Sequence, residues 1–156
     1  MDIKVIAFDA DDTLWINEPY FQETENKFCA LLEDYLPHHT LATELVKTEI
    51  QKLPLYGYGV KGFMLSMIAT ALRVSNNTLN IEVGEKALVF GKELLEKPIE
   101  ILDGGEEVLK ALQGKYRLVV ATKGDLLDQA RKLKKSGLEH YFHNRELMSD
   151  KRELDI

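Results

Sequence analysis

Hydrophobic positions follow two different periods along the chain. Residues 3–8 and 116–122 are short apolar runs rich in strand-forming side chains, which predict two buried strands of a parallel sheet. A third strand is predicted at residues 145–149. From about residue 19 to 95, apolar side chains recur at helical spacing with no strand between them. The pattern therefore predicts an α/β domain interrupted by an all-helical segment.

The helical interval divides into four predicted helices. The first stops before Pro37 and the second ends near Pro54, because proline lacks the backbone N–H that a helix interior needs. The third carries the most regular apolar stripe, over residues 60–72, and the fourth covers residues 83–95. Four helices in succession are typical of a compact helical unit.

Two further helices flank the second strand. One closes at Gly114, just before that strand. The other follows it, with Leu126, Ala130 and Leu133 on its predicted inward face and Gly137 as its C-terminal cap. Strands and helices thus alternate outside the helical interval, as they do in a parallel α/β sheet.

Composition narrows the class of protein. The 156 residues are 45% apolar and 29% charged, a globular balance that argues against disorder. No apolar run approaches the roughly 18 residues of a membrane span, and the N-terminus lacks a signal-peptide pattern. The net charge of −6 argues against nucleic acid as a partner, and the single cysteine, Cys29, excludes an internal disulfide. We expect a cytoplasmic enzyme or binding domain.

Polar side chains follow the first two predicted strands. The stretch "FDADDTLW" puts Asp9 and Asp11 after the first strand, and Thr122 and Lys123 end the second. In parallel sheets the ligand crevice lies beyond the carboxyl ends of the strands. Two carboxylates on one side of an extended segment repel each other unless a hard cation such as Mg²⁺ lies between them. Taken alone, an acidic turn that faces water explains the same residues.

The combination of these motifs resembles the haloacid dehalogenase superfamily of phosphohydrolases. The resemblance rests on Asp-x-Asp-x-Thr-Leu after a hydrophobic strand and on "VVAT", residues 119–122, more than a hundred residues later. It implies a Rossmann-like parallel sheet, here incomplete with about three strands, and an inserted all-helical cap. Residues 1–16 and 96–156 would form the core domain, and residues 17–95 the cap, which would close over the site and select substrates.

The resemblance also implies roles for individual residues. Asp9 is similar to the nucleophile that takes up the phosphoryl group, and one of its oxygens would bind Mg²⁺. Asp11 is similar to the general acid and base, and its backbone carbonyl would complete that side of the metal site. Thr122 would hydrogen-bond the phosphoryl oxygens. Lys151, in "MSDK", matches the lysine that offsets negative charge at the nucleophile.

Substrate contacts are predicted at two places. The stretch "LYGYGVKG", residues 55–62, offers Tyr56, Tyr58 and Lys61 as contacts from a substrate loop of the cap, although an ordinary turn between helices explains it equally well. Lys123, beside Thr122, is a candidate phosphate contact, and an exposed loop lysine is an equally good interpretation.

Three functional hypotheses remain open at this point. The first is a Mg²⁺-dependent phosphomonoester hydrolase that acts on a small phosphorylated metabolite through an aspartyl phosphate. The second is a catalytically impaired, truncated remnant that binds a ligand or itself, because the family's last acidic motif has no match before Ile156. The third is phosphoglucomutase-like phosphoryl transfer. The expected partners are a small phosphate ester and a second copy of the chain, paired through the exposed edge of the first strand.

Overall fold

The computed structural model describes residues 3–148, and the side chains of residues 3–143. Within them, the chain folds into two compact units, residues 3–18 with 98–148 and residues 19–97. The first unit contains a parallel sheet with helices, and the second contains only helices. The fold is therefore the predicted α/β class with an all-helical insertion.

The elements follow one another in the predicted order. The first strand is followed by four helices, then by a fifth helix, the second strand, a sixth helix, a short 3₁₀ helix (Glu139–Tyr141) and the third strand. The strands are β1 (Val5–Phe8), β2 (Arg117–Lys123) and β3 (Asn144–Met148). The helices are α1 (Glu18–Leu31), α2 (His38–Tyr56), α3 (Val60–Val74), α4 (Ile81–Glu96), α5 (Gly105–Leu112) and α6 (Leu126–Ser136).

The sheet has the order β1-β2-β3, and both pairings are parallel. Strand β2 is central, with Leu118 and Val120 almost completely buried. Strand β1 lies at one edge of the described sheet, where Val5 is 37% exposed and the preceding Ile3 is 70% exposed. The prediction that residues 3–8 form a buried strand is therefore wrong for these side chains, because a strand paired on one side only leaves part of its surface uncovered.

The core of the α/β unit joins the sheet to the helices around it. It contains Leu118 and Val120 of β2, and further buried side chains from the β1 loop, α5, α6 and the 3₁₀ region. These are Ala10, Leu14, Trp15, Leu109, Leu133, Leu138 and Tyr141. Trp15 and Leu14 anchor the loop after β1, which carries the candidate acids.

Helix α6 meets the core through Leu133, as predicted, but its first turn differs from the prediction. Leu126 is 57% exposed and Leu127 is 66% exposed, whereas Asp128 and Gln129 are each only 4% exposed. The predicted inward position of Leu126 is wrong because these polar residues turn inward instead, where hydrogen bonds to Asp11 and Arg131 offset their desolvation. Gly137 ends the helix in the left-handed conformation, as expected.

The helical unit has a core of its own. Side chains from α1, α2 and α3 form its centre, including Phe28, Leu45 and Met67, which are fully buried. Cys29 is also buried there, and burial raises the pKa of its thiol to about 11, so it remains protonated and packs as a small apolar group. Helix α2 passes through Pro54 to Tyr56 and closes with a bond from the Gly57 N–H to the Leu53 carbonyl.

Candidate active site

The first two strands bring Asp9 and Thr122 to the same edge of the sheet. The parallel register pairs Phe8 with Val120, so Asp9 follows the end of β1 while Thr122 lies two residues beyond Val120. Thr122 is 2% exposed, and its hydroxyl makes a long 3.4 Å contact to the Lys123 carbonyl. This edge is the carboxyl end of both strands, where open parallel sheets bind their ligands.

The loop after β1 is a tight turn built around Ala10. Ala10 is completely buried, and its carbonyl accepts the N–H groups of Leu14 at 2.8 Å and Thr13 at 3.2 Å. Its own N–H donates to Asp9 Oδ1 at 2.9 Å, which fixes one carboxylate oxygen of Asp9. The turn requires a positive φ of 57° at Asp12, a conformation that Asp tolerates better than most residues.

The third acid of the motif, Asp12, has a structural role. Its Oδ1 accepts the N–H of Asn17 at 2.8 Å and the N–H of Glu18 at 3.0 Å. These groups stand at the start of α1, where backbone N–H groups have no partner within the helix and a negative charge is favoured. Asp12 therefore fixes the entry into α1, and Asp9 and Asp11 are left as the acids of the site.

Asp11 is held by three side-chain donors. Its Oδ1 accepts the indole N–H of Trp15 at 2.8 Å and the ammonium of Lys132 at 3.0 Å. Its Oδ2 accepts the amide of Gln129 at 2.7 Å. Both oxygens of the carboxylate are thus engaged, and a charged partner compensates for its partial burial.

Two of these donors, Gln129 and Lys132, were missed by the sequence reasoning. They are three residues apart on α6 and therefore share one face of the helix. The available signal was this spacing of two polar side chains, but nothing in the sequence shows which acid they meet. Trp15, the third donor, is the last residue of the "FDADDTLW" stretch, and its identity alone does not predict a bond to Asp11.

Some of the oxygen atoms beside β1 suit Mg²⁺ as ligands, and others do not. The Asp9 carboxylate and the Asp11 backbone carbonyl offer the hard oxygen atoms that this ion prefers. The Asp11 carboxylate does not fit as a ligand in this arrangement, because it already accepts the Lys132 ammonium, whose charge repels a cation. The described residues contain no group of three His, Cys, Asp or Glu side chains placed to hold a metal ion. Water would have to supply further ligands, as it commonly does for Mg²⁺.

The other residues predicted to contact substrate are distant from Asp9 and Asp11 in the sequence. Lys123 is the last residue of β2, and its carbonyl accepts the Gln129 amide at 3.0 Å. Tyr56 ends α2 and Lys61 lies in the first turn of α3, so both belong to the helical unit, and the intervening turn contains the exposed Tyr58. Their role in substrate binding stays a prediction. Lys151 lies outside the described residues.

Comparisons with known proteins gave one family match and several similar structures. A family model described as haloacid dehalogenase-like hydrolase matches residues 3–154. A haloacid dehalogenase-like family hydrolase from Xanthomonas campestris has a similar structure, with 35% sequence identity and a TM-score of 0.88. The match covers 95% of this chain and 62% of that protein, so the chain spans less than two thirds of the length of this relative.

More distant structures share the fold alone. A predicted phosphoglycolate phosphatase from Haemophilus somnus is 22% identical with a TM-score of 0.55, over 92% of this chain and 61% of its own. The HAD-hydrolase YfnB from Bacillus subtilis, bound to magnesium, is 17% identical with a TM-score of 0.55, over 94% and 66%. The L-2-haloacid dehalogenase from Xanthobacter autotrophicus is 12% identical with a TM-score of 0.52, over 94% and 57%.

Two further findings are negative. The comparison with curated protein sequences gave no match. Among the helices of residues 3–148, none combines the length and the apolar character that crossing a membrane requires.

Proposed function

Because this chain belongs to the haloacid dehalogenase-like hydrolases, we propose that its site hydrolyses small phosphate monoesters through an aspartyl phosphate on Asp9. The observation that carries the proposal is the Asp11 carboxylate, fixed two residues after Asp9 by three donors. An alkoxide leaving group needs a proton, whereas a departing halide does not. A positioned carboxylate at residue 11 therefore favours phosphate ester hydrolysis over carbon–halogen cleavage.

The first step transfers the phosphoryl group to Asp9. A carboxylate oxygen of Asp9 attacks phosphorus, the bond from phosphorus to the ester oxygen breaks, and that oxygen takes a proton from the protonated Asp11 carboxyl. The alcohol leaves and Asp9 carries the phosphoryl group. The bond from the Ala10 N–H to Asp9 Oδ1 orients this carboxylate before attack.

The second step returns Asp9 to its starting state. Asp11, now a carboxylate, takes a proton from a water molecule as the water oxygen attacks phosphorus. The bond between phosphorus and the Asp9 oxygen breaks, inorganic phosphate is released and Asp11 is protonated again. One residue thus acts first as acid and then as base. Mg²⁺, held by the Asp9 carboxylate and the Asp11 carbonyl, would supply positive charge that offsets the phosphoryl oxygens.

Two residues would support the phosphoryl group. Thr122 is buried at the end of β2, and within residues 3–143 its hydroxyl has only a long contact to the Lys123 carbonyl, so it is available to donate to a phosphoryl oxygen. Lys151 would offset negative charge in the role that the family resemblance gives it. We propose the substrate to be a small phosphorylated metabolite.

Phosphate release by the purified 156-residue chain with Mg²⁺ tests the proposal. Suitable substrates are p-nitrophenyl phosphate, sugar phosphates, nucleotides and phosphoglycolate. Asp9→Asn should abolish turnover, and Asp11→Asn should lower kcat by roughly 10²–10⁴-fold. Asp103→Asn, an exposed aspartate substitution in the same unit, serves as the matched control. Asp11→Asn should lose more activity on an alkyl phosphate than on p-nitrophenyl phosphate, because nitrophenolate leaves without protonation.

Several outcomes would contradict the proposal. Full activity in Asp9→Asn would show that Asp9 is not the nucleophile. Chloride release from 2-chloropropionate without phosphate release from any ester would indicate a dehalogenase. An isomeric sugar phosphate as the product, in place of free phosphate, would indicate phosphoryl transfer. Binding of phosphate esters without turnover would indicate a binding protein.

A further inference from the structure

The side chains around Asp11 come from two distant parts of the chain. Trp15 lies on the loop that carries Asp11, four residues further on. Gln129 and Lys132 lie on α6, 118 and 121 residues away. The loop alone therefore supplies one of the three donors, and α6 supplies the other two.

Gln129 joins Asp11 to the end of β2. Its side-chain amide donates both to Asp11 Oδ2 at 2.7 Å and to the Lys123 carbonyl at 3.0 Å. Both partners are acceptors, so the NH₂ group and not the carbonyl oxygen must face them. Gln129 is 4% exposed, and within residues 3–143 its Oε1 is buried without a hydrogen-bond partner. An orientation that leaves one buried oxygen unsatisfied costs stability, which argues that the amide is placed for Asp11.

The backbone beside Gln129 is shaped to admit it. Gly124, directly after β2, has a φ of +133°, a backbone conformation that residues other than glycine rarely adopt. A Cβ atom at this position would lie 2.9 Å from Gln129 Nε2. The glycine thus leaves the space that the amide needs to reach Asp11.

Lys132 supplies the positive charge beside the Asp11 carboxylate. Its side chain is 14% exposed, and its ammonium lies 3.0 Å from Asp11 Oδ1 and 2.8 Å from Asn17 Oδ1. Asp128 Oδ2 is 3.9 Å away on the same helix. Asn17 directly precedes α1 and also donates its N–H to Asp12. Lys132 therefore bridges the Asp11 carboxylate and the Asn17 side chain, just before α1.

We infer that Gln129 and Lys132 are positioning residues that hold the Asp11 carboxylate in one orientation for proton transfer. The inference rests on the proposed function for the role of Asp11. A carboxylate with a donor on each oxygen cannot rotate without breaking a hydrogen bond, so its direction toward a leaving oxygen is set before substrate arrives. Neither residue touches the reacting atoms in this role.

The single tryptophan gives a readout that does not require activity. Trp15 is the chain's only tryptophan, so its indole N–H gives one cross-peak in a ¹⁵N-labelled sample. That N–H donates to Asp11 Oδ1 and reports where the carboxylate is. Lys132→Met and Gln129→Leu should each move the indole proton signal upfield, because the acceptor is no longer held in place. Lys134→Met, an exposed lysine substitution on the same helix, should leave it unchanged.

Kinetics provide the second readout. Lys132→Met and Gln129→Leu should each lower kcat by about tenfold or more, a fraction of the effect of a general acid and base, and leave KM unchanged. Lys132→Arg keeps a charged donor and should restore most of both the kcat and the indole signal. In an Asp11→Asn background, Lys132→Met should cause no further loss, since the two substitutions act through one group.

The inference fails if both variants fold, as judged by circular dichroism, and the indole signal stays in place. It also fails if the kcat losses of Lys132→Met and Asp11→Asn multiply independently. Should Lys132→Met not fold, the comparison of Gln129→Leu with the wild-type chain decides. If the wild-type chain hydrolyses no phosphate ester, the proposed function fails while the indole readout still tests the positioning.

Discussion

At the scale of single residues, three neighbouring acids do three different things. Asp9 accepts a local N–H, Asp11 accepts donors from a distant helix, and Asp12 fixes the start of α1. Their order in the sequence gives no sign of this division for Asp12, because its role depends on a left-handed backbone that only the folded turn shows. The motif predicts Asp9 and Asp11 as site residues, but it does not show the donors of Asp11.

A charged residue of the helical unit gives a prediction on pH. Hydrogen bonds from Lys97, and secondly from Lys27, lower the pKa of Glu23 from 4.5 to about 2. A lowered carboxyl pKa contributes stability above the unfolded value of 4.5, and this contribution is lost as the pH falls toward 2. The Glu23 side chain is 44% exposed, so we expect a modest effect that salt weakens further.

Thermal unfolding from about pH 5 to about pH 2 checks this expectation. Glu23→Gln should flatten the fall of Tm with decreasing pH at low ionic strength. Glu85→Gln replaces an exposed glutamate on α4 and should behave as the wild-type chain does. Equal acid sensitivity in Glu23→Gln and the wild-type chain would show that the ion pairs contribute nothing measurable.

At the scale of elements, two glycines of α4 have different surroundings: Gly91 is packed against another helix, and Gly84 faces open space. Gly91 of α4 faces α3, and a Cβ atom there would lie 2.5 Å from Met64 Sδ and 3.2 Å from Met64 Cβ. Moving the flexible sulfur alone cannot relieve the second contact, so the backbone of α3 or α4 would have to shift by a few tenths of an ångström. Gly84, on the same helix, has nothing within 4 Å of such a Cβ atom.

We therefore expect alanine at these two positions to change stability in opposite directions. Gly91→Ala should lower the free energy of unfolding by about 1–3 kcal/mol through overpacking. Gly84→Ala should raise it by about 0.5–1 kcal/mol, because alanine loses less backbone entropy in a helix. Urea denaturation of both variants measures the change. Stabilisation by Gly91→Ala would mean that α3 and α4 do not pack as described.

Elements were the level at which the sequence was most informative. The four inserted helices and the three strands could be predicted because apolar periodicity reflects burial directly. Helix α6 shows the limit of that reasoning. Its first turn exposes Leu126 and buries Gln129, because the amide meets a carboxylate 118 positions away. A local pattern cannot show a partner so distant in sequence. The sequence therefore predicted the candidate site residues within the motifs but not the side chains of α6 that contact them.

At the scale of the whole molecule, the exposed edge of the sheet is the feature with the clearest consequence. Within residues 3–148, β1 is paired with β2 on one side only. Exposed apolar side chains lie on this strand and just before it, since Val5 is 37% exposed and Ile3 is 70% exposed, and Lys4 is the only charge among residues 3–8. Natural edge strands are usually protected by charges, proline or bulges.

We propose that two copies of the chain pair through β1. A two-fold axis would place the two strands antiparallel and join both sheets into one, with the same surface used by each copy. Light scattering during size exclusion at micromolar concentration should then give the mass of a dimer. Val5→Lys puts a charge on the edge and should shift the chain toward monomer. Val89→Lys, at a 49% exposed position on α4, makes the same change elsewhere and should leave the dimer intact. A monodisperse wild-type monomer, or equal dissociation by both lysine variants, would exclude pairing through this strand.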